Sequence, residues 1–254
     1  MPDELDRDHQ SVAPPPGSGE TPPSLAGHSA GCVPEHGLRA GAGGDSPPAR
    51  NTRPDRATRF IETTRGILAY SEVAPLLAER VLGLETALYH LKFASRAFDE
   101  QLVAEFHRRI CHDLVPDWAG RWRTIEVRVG PLTPPPSHQV PLLMRDYGAN
   151  LLARWPAASG ATGDLTLELL AFAEGRFLSI HPFQDFNGRT IRLFLLELLR
   201  RLDLPRVVLA PESEPERQAY FRALEAADRS DWQPLVAIWQ SRFTTSTPNP
   251  SAES

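Results

Sequence analysis

Cysteine is nearly missing from this chain: 254 residues include two, Cys32 and Cys111. One sits in a Pro/Gly-rich front and the other in a helical stretch, which excludes a disulfide framework and a cysteine zinc site. No apolar run reaches membrane-spanning length. The start, Met-Pro-Asp-Glu-Leu-Asp, has neither an apolar signal core nor transit-peptide character. These absences lead us to expect a cytoplasmic protein with no membrane partner. An excess of one charge sign is lacking too, and a formal net charge of −5 gives no electrostatic basis for binding nucleic acid. Large apolar side chains are scarce in residues 1–55, which hold Pro14-Pro-Pro-Gly-Ser-Gly, Thr21-Pro-Pro-Ser, Gly41-Ala-Gly-Gly and Ser46-Pro-Pro. Such a segment cannot offset its ordering entropy and is expected to be a disordered arm.

Beyond the arm the chain is rich in helical periodicity. Val73, Leu76, Leu77, Val81, Leu84 and Leu88 form one run, and Leu102, Val103, Phe106, Ile110 and Leu114 another. His90, His107 and His112 fall on or near these runs without partners at metal-ligand spacing, so they read as core or rim histidines. Residues 118–130 alternate through Ile125, Val127 and Val129 and then meet Pro134-Pro-Pro, the pattern of a short strand or hairpin. Helical spacing resumes over 140–155. A further helix is expected from Asp164, as N-cap, through Ile180, with Gly175 allowing close packing. Two more are expected over Glu216–Ala227 and Trp232–Phe243, before a polar tail from Thr244. Periodicity alone therefore predicts an all-α domain with one small hairpin.

The polar chemistry collects in residues 181–192, His-Pro-Phe-Gln-Asp-Phe-Asn-Gly-Arg-Thr-Ile-Arg, directly ahead of the apolar run 193–199. Pro182 disfavours helical geometry at His181, and Asn187-Gly188 offers a capping side chain and a permissive backbone, so a tight loop should enter a helix near Asn187. A helix N-terminus presents unpaired N–H groups to an anion, and Arg189 and Arg192, three apart, share a face one turn on. Two forked cations there suit a polyphosphate. Asp185 is a hard ligand able to hold magnesium on such phosphates, and His181 is the titratable group suited to general-base work. A transition-metal pair of His181 and Asp185 is disfavoured, because Pro182 spoils the helical spacing such a pair prefers.

This stretch, His-Pro-Phe-x-Asp-x-Asn-Gly-Arg-x-x-Arg, resembles the signature of the Fic domain family, whose members transfer AMP from ATP to a protein hydroxyl. The resemblance implies a Fic-type helical bundle over residues 56–243 with a β-hairpin flap at 118–136. It implies His181 as base, Phe183 as loop anchor, Asp185 as the Mg2+ ligand, and Asn187, Gly188, Arg189 and Arg192 around the nucleotide phosphates. It also implies that Tyr220 lies against the adenine. A protein substrate would offer a Tyr, Thr or Ser hydroxyl along the flap, and self-modification is open to such an enzyme. Within the segment 56–68, Thr58-x-x-x-Glu62 is similar to the inhibitory helix of self-restrained Fic proteins, with Glu62 pairing Arg192. One position departs: Phe186 stands where the family usually has glycine, a change able to alter nucleotide pose or choice. Two alternatives remain open, the same fold transferring phosphate, UMP or phosphocholine, and a catalytically silent protein-binding module.

Overall fold

Residues 169–175 are buried without interruption, and the fold is built from the neighbours that cover them. A computed structural model describes residues 59–129, 132–158 and 163–246. The arm expected over 1–55, Thr58, Gly130 and the tail beyond Ser246 lie outside the described residues. The element order is β1 (Phe60–Thr63), β2 (Gly66–Ala69), α1 (Tyr70–Tyr89), α2 (Glu100–Cys111), α3 (Val140–Ala158), α4 (Asp164–Ile180), α5 (Asn187–Arg201), α6 (Glu214–Ala227) and α7 (Gln233–Ser246). Helix α4 packs against α3, α5, α6 and α7, while α2 packs against α1, α3 and α5. No described helix is long and apolar enough to cross a membrane.

The helical prediction holds, and the predicted hairpin is misplaced. Residues 60–69, most of which fall in the segment 56–68 compared with an inhibitory helix, form an antiparallel pair with Phe60 opposite Ala69 and Thr63 opposite Gly66. Ile61, Thr63, Thr64 and Ile67 are β-branched, and Gly66 takes φ +99° at the turn, so local chemistry favours strands over a helix. The flap region at 118–136, expected as a short strand or hairpin, instead carries, among the described residues, a single bridge between Val129 and Leu132. Prolines at 134, 135 and 136 have no N–H to give a ladder. Helix α7 runs to Ser246, slightly beyond the expected stop at Phe243.

Two buried carboxylates tie the bundle together. Glu174 on α4, 2% exposed, receives Arg242 of α7 at 2.7 Å, and fully buried Glu197 on α5 receives Arg200 and Arg201, each at 2.7 Å. Arg201 continues to the carbonyls of Phe93 and Arg96, so the turn after α1 is fixed to α5. Gly175 does allow close packing. A Cβ there would stand 2.7 Å from Leu235 Cδ1, 2.9 Å from Trp232 Cζ3 and 3.0 Å from Ala227 Cβ. Around Gly83 of α1, by contrast, an added Cβ meets nothing within 4 Å. Gly175→Ala is therefore expected to destabilise by about 1–3 kcal/mol through overpacking. Gly83→Ala should stabilise by about 0.4–1 kcal/mol by restricting the unfolded chain. Urea unfolding of the two variants checks the opposite signs.

Candidate active site

Helix α4 ends where Pro182 requires it to end. His181 turns into the left-handed region at φ +49°, its N–H still bonded to the Phe177 carbonyl at 2.9 Å. The loop 182–186 then folds back on itself. Phe183 is fully buried, and its ring lies flat on that of His107 from α2, centroids 3.8 Å apart and planes 6° from parallel. His107 is also 2.8 Å from the Gly120 N–H through Nδ1 and 3.2 Å from the Asp185 carbonyl through Nε2. Because Nδ1 accepts from Gly120, Nε2 carries the proton and donates to Asp185. Burial lowers the His107 pKa to about 3, the bond to Asp185 opposing, so this ring is neutral and both bonds keep their sense.

Asn187 was expected to cap α5. Its carboxamide instead accepts from the Phe183 N–H at 3.0 Å and donates to the Phe183 carbonyl at 2.9 Å, which closes the loop. The residue at the cap is Phe186, left-handed at φ +59° with no side-chain cap bond. Gly188 is not among the residues with positive φ; its missing side chain leaves room beside Arg192. The Phe186 ring turns inward, 4% exposed, stacked on Trp118 at 5.5 Å, and lines neither of the cavities that flank the loop.

On one side of the loop lies a cavity of about 590 Å³ lined by His181, Gly188, Arg192 and Tyr220, with Leu209, Phe221 and Leu224 as apolar wall. Val129 and Leu132, the bridged pair of the flap, line it as well. Burial, and secondarily Arg123, lowers the His181 pKa to about 4, against a hydrogen bond to the Leu178 carbonyl. A neutral imidazole carries one ring N–H and leaves its other nitrogen unprotonated. The Tyr220 hydroxyl donates to Glu174 at 2.7 Å, and burial pushes its pKa well up. Arg192 is exposed, its Nε bonded to the Gly188 carbonyl at 2.8 Å.

Asp185 and Glu62 face a second cavity, about 500 Å³, on the other side. Arg59 reaches Asp185 at 2.9 and 3.1 Å and lies over the Tyr70 ring at 4.4 Å, while the Tyr70 hydroxyl accepts from Arg189. Asp185 also accepts from the Phe186 N–H at 2.7 Å, yet burial raises its pKa above the ordinary carboxylate value.

Residues 97–199 match the model of the Fic/DOC family. They form a Fic domain. The chain is 32% identical over 188 residues to "Protein adenylyltransferase fic-1" of Caenorhabditis elegans, covering 70% of this chain and 35% of that one. It is 29% identical over 189 residues to "Protein adenylyltransferase Fic" of Nematostella vectensis, covering 70% and 42%. It thus spans little more than a third to two fifths of the length of these relatives. Among solved structures, the Bartonella tribocorum effector BepC, determined with bound AMPPNP, superposes with TM-score 0.58 at 16% identity, covering 74% of this chain and 93% of that one.

In the structure the candidates therefore divide. His181, Gly188, Arg192 and Tyr220 share one cavity, whereas Asp185 and Glu62 share the other, and Arg189 is engaged by Tyr70. Glu62 is exposed on strand β1 rather than on a helix, and among the described residues no ion pair joins it to Arg192. Two contributors escaped the sequence reading, Arg59 and Arg123, while His107, expected as a core or rim histidine, is buried as expected and in addition holds the loop. His107 had a signal, since it shares the apolar stripe of Val103, Phe106 and Ile110 on α2. Cys111 below it is buried, with its thiol pKa pushed up, and is not a nucleophile.

Two outcomes are expected from this geometry. Left-handed φ costs a non-glycine residue roughly 1–2 kcal/mol, whereas truncating a buried phenylalanine costs about 3–5 kcal/mol. Packing wins, so Phe186→Gly should be net destabilised in urea unfolding rather than relieved. Both imidazoles have depressed folded pKa values, so their stabilising contribution is complete above an unfolded pKa of about 6.5. It is lost as pH falls toward about 4 for His181 and about 3 for His107. Wild-type Tm should drop over this window, and His107→Phe should show a shallower drop.

Proposed function

We propose that this Fic domain is a protein adenylyltransferase that moves AMP from ATP to the hydroxyl of a Tyr, Thr or Ser side chain. The observation that carries the reading is one cavity joining a neutral histidine, an arginine and an open glycine at a helix N-terminus beneath the flap bridge. The names of the relatives and the AMPPNP held by BepC support it.

In this mechanism ATP lies with its phosphates at the start of α5 and its base toward Tyr220, Phe221 and Leu224. The target hydroxyl is held by the flap 118–136. The unprotonated ring nitrogen of His181 takes the hydroxyl proton as that oxygen bonds to the α-phosphorus. The bond from the α-phosphorus to the oxygen bridging to the β-phosphorus breaks, and pyrophosphate leaves. Backbone N–H groups at the start of α5 and the Arg192 guanidinium, once it swings from its own backbone, stabilise the added charge.

Asp185 fits magnesium in its donor type: a single hard carboxylate, as magnesium requires when phosphates complete its shell. An ion held there would neutralise phosphate charge on a nucleotide whose phosphates extend past the start of α5 to the Asp185 side of the loop. Arg59 competes for that carboxylate, and because its side chain is 54% exposed the pair is worth at most about 1 kcal/mol, or roughly fivefold in affinity. Restraint thus falls to Arg59 in this reading, rather than to a pairing of Glu62 with Arg192.

The test is intact mass of the protein after incubation with magnesium and each of ATP, UTP, GTP and CTP, with AMP self-modification as the expected outcome. His181→Ala should lose it by at least about a thousandfold, within the usual range for a general base, with Tm retained. Transfer of a different group would keep the fold and reject AMP. Should the protein neither bind ATP nor change mass, the silent binding-module reading replaces this one. A separate titration with Mn2+ as probe should show Arg59→Ala binding about two- to fivefold tighter and Glu62→Gly unchanged.

A further inference from the structure

Arg123 has an unusual position for a charged side chain. It is 3% exposed, and the nearest carboxylate, that of Glu126, is 3.6 Å away on the surface and already engaged by the Ser137 N–H and hydroxyl. A buried cation without a close partner is costly, so its surroundings must supply acceptors. They do so from two directions. Toward α4, Nε donates to the His181 carbonyl at 2.8 Å, Nη2 approaches that of Ile180 at 3.4 Å, and the Arg123 backbone N–H donates to Pro182 at 2.8 Å. These carbonyls stand at the C-terminal end of a buried helix, where the dipole favours a cation. Toward the flap, Nη1 donates to the Ile125 carbonyl at 3.0 Å and Nη2 to that of Pro135 at 2.5 Å.

Ile125 and Pro135 are the two stems of the loop whose tip is the Val129–Leu132 bridge. A hairpin would hold such stems together with its own ladder, but here the prolines remove the donors. We infer that Arg123 is a positioning residue that replaces the missing ladder, clamping both stems of the flap to the backbone of His181. A target segment laid on the flap is thereby held in register with the base, which rests on the adenylyltransferase reading for its catalytic consequence. The same guanidinium disfavours protonation of His181, as does burial. The other charged or titratable groups around that cavity are Arg192 from α5, Glu174 from α4, and Tyr220, Glu225 and Asp228 from or just after α6.

The experiment compares the 254-residue wild type, Arg123→Lys and Arg123→Met by three readouts. Trypsin cleavage after exposed Arg128 reports the flap, and histidine NMR titration, with His181→Ala for assignment, reports the base. Kinetics of transfer to a protein acceptor report the coupling. In Arg123→Met we expect cleavage after Arg128 to accelerate about tenfold or more, since opening of the loop limits it. The His181 pKa should rise, and kcat should fall about a hundredfold with the ATP KM little changed. Arg123→Lys keeps the charge but reaches fewer carbonyls, and should fold and lie between the two. Lowered Tm with unaltered flap cleavage and unaltered His181 titration in either folded variant would reduce Arg123 to a structural cation and overturn the inference. If wild type transfers nothing, the adenylyltransferase reading fails, while the cleavage and titration readouts still decide the clamp.

Discussion

The site depends on a histidine that stays neutral. His107 stacks on Phe183 and joins the Gly120 N–H to the Asp185 carbonyl, so a single ring fixes helix α2, the turn before the flap and the middle of the loop 181–186. Protonation would turn its acceptor nitrogen into a second donor facing an N–H, and burial suppresses that. The loop needs such an anchor because its ends are unfavourable: His181 and Phe186 are both left-handed without being glycine. Aromatic burial around Phe183, Phe186, Trp118 and Trp122 offsets that local cost.

The anchored loop also divides the chemistry. It is flanked by separate cavities, one with His181 and an exposed arginine, the other with Asp185 held by Arg59. Cations near the loop serve different physical ends. Arg123 is buried against carbonyls, Arg189 is held by Tyr70, Arg59 neutralises Asp185 from the surface, and Arg192 remains exposed at the cavity. Nucleotide binding on the proposed reading would redistribute the last three and leave the first in place. The structure is thus a rigid core with the adjustable charges at its margin.

The helices, the loop between α4 and α5, and the close approach at Gly175 were legible in the sequence because each obeys local rules: apolar spacing, Pro182 after a helix, and a glycine on a buried face. The segment 60–69 was misread because its motif was weighed above its β-branched residues, and hairpin propensity won. Asn187 was misread for a related reason. Capping propensity is a local preference, but the unpaired N–H and C=O of Phe183 offered its carboxamide two bonds inside a buried turn.

The sequence by itself determined the fold class, the family resemblance and the cluster of chemistry in residues 181–192, since periodicity and motif are properties of neighbours along the chain. Only tertiary structure decided that Phe186 turns inward, that Asp185 is paired with Arg59, that His107 is a strut and that Arg123 closes the flap. Those choices join residues separated by tens of positions, and their energies come from burial and from polar groups that must find partners once water is excluded. No local pattern encodes which partner is near.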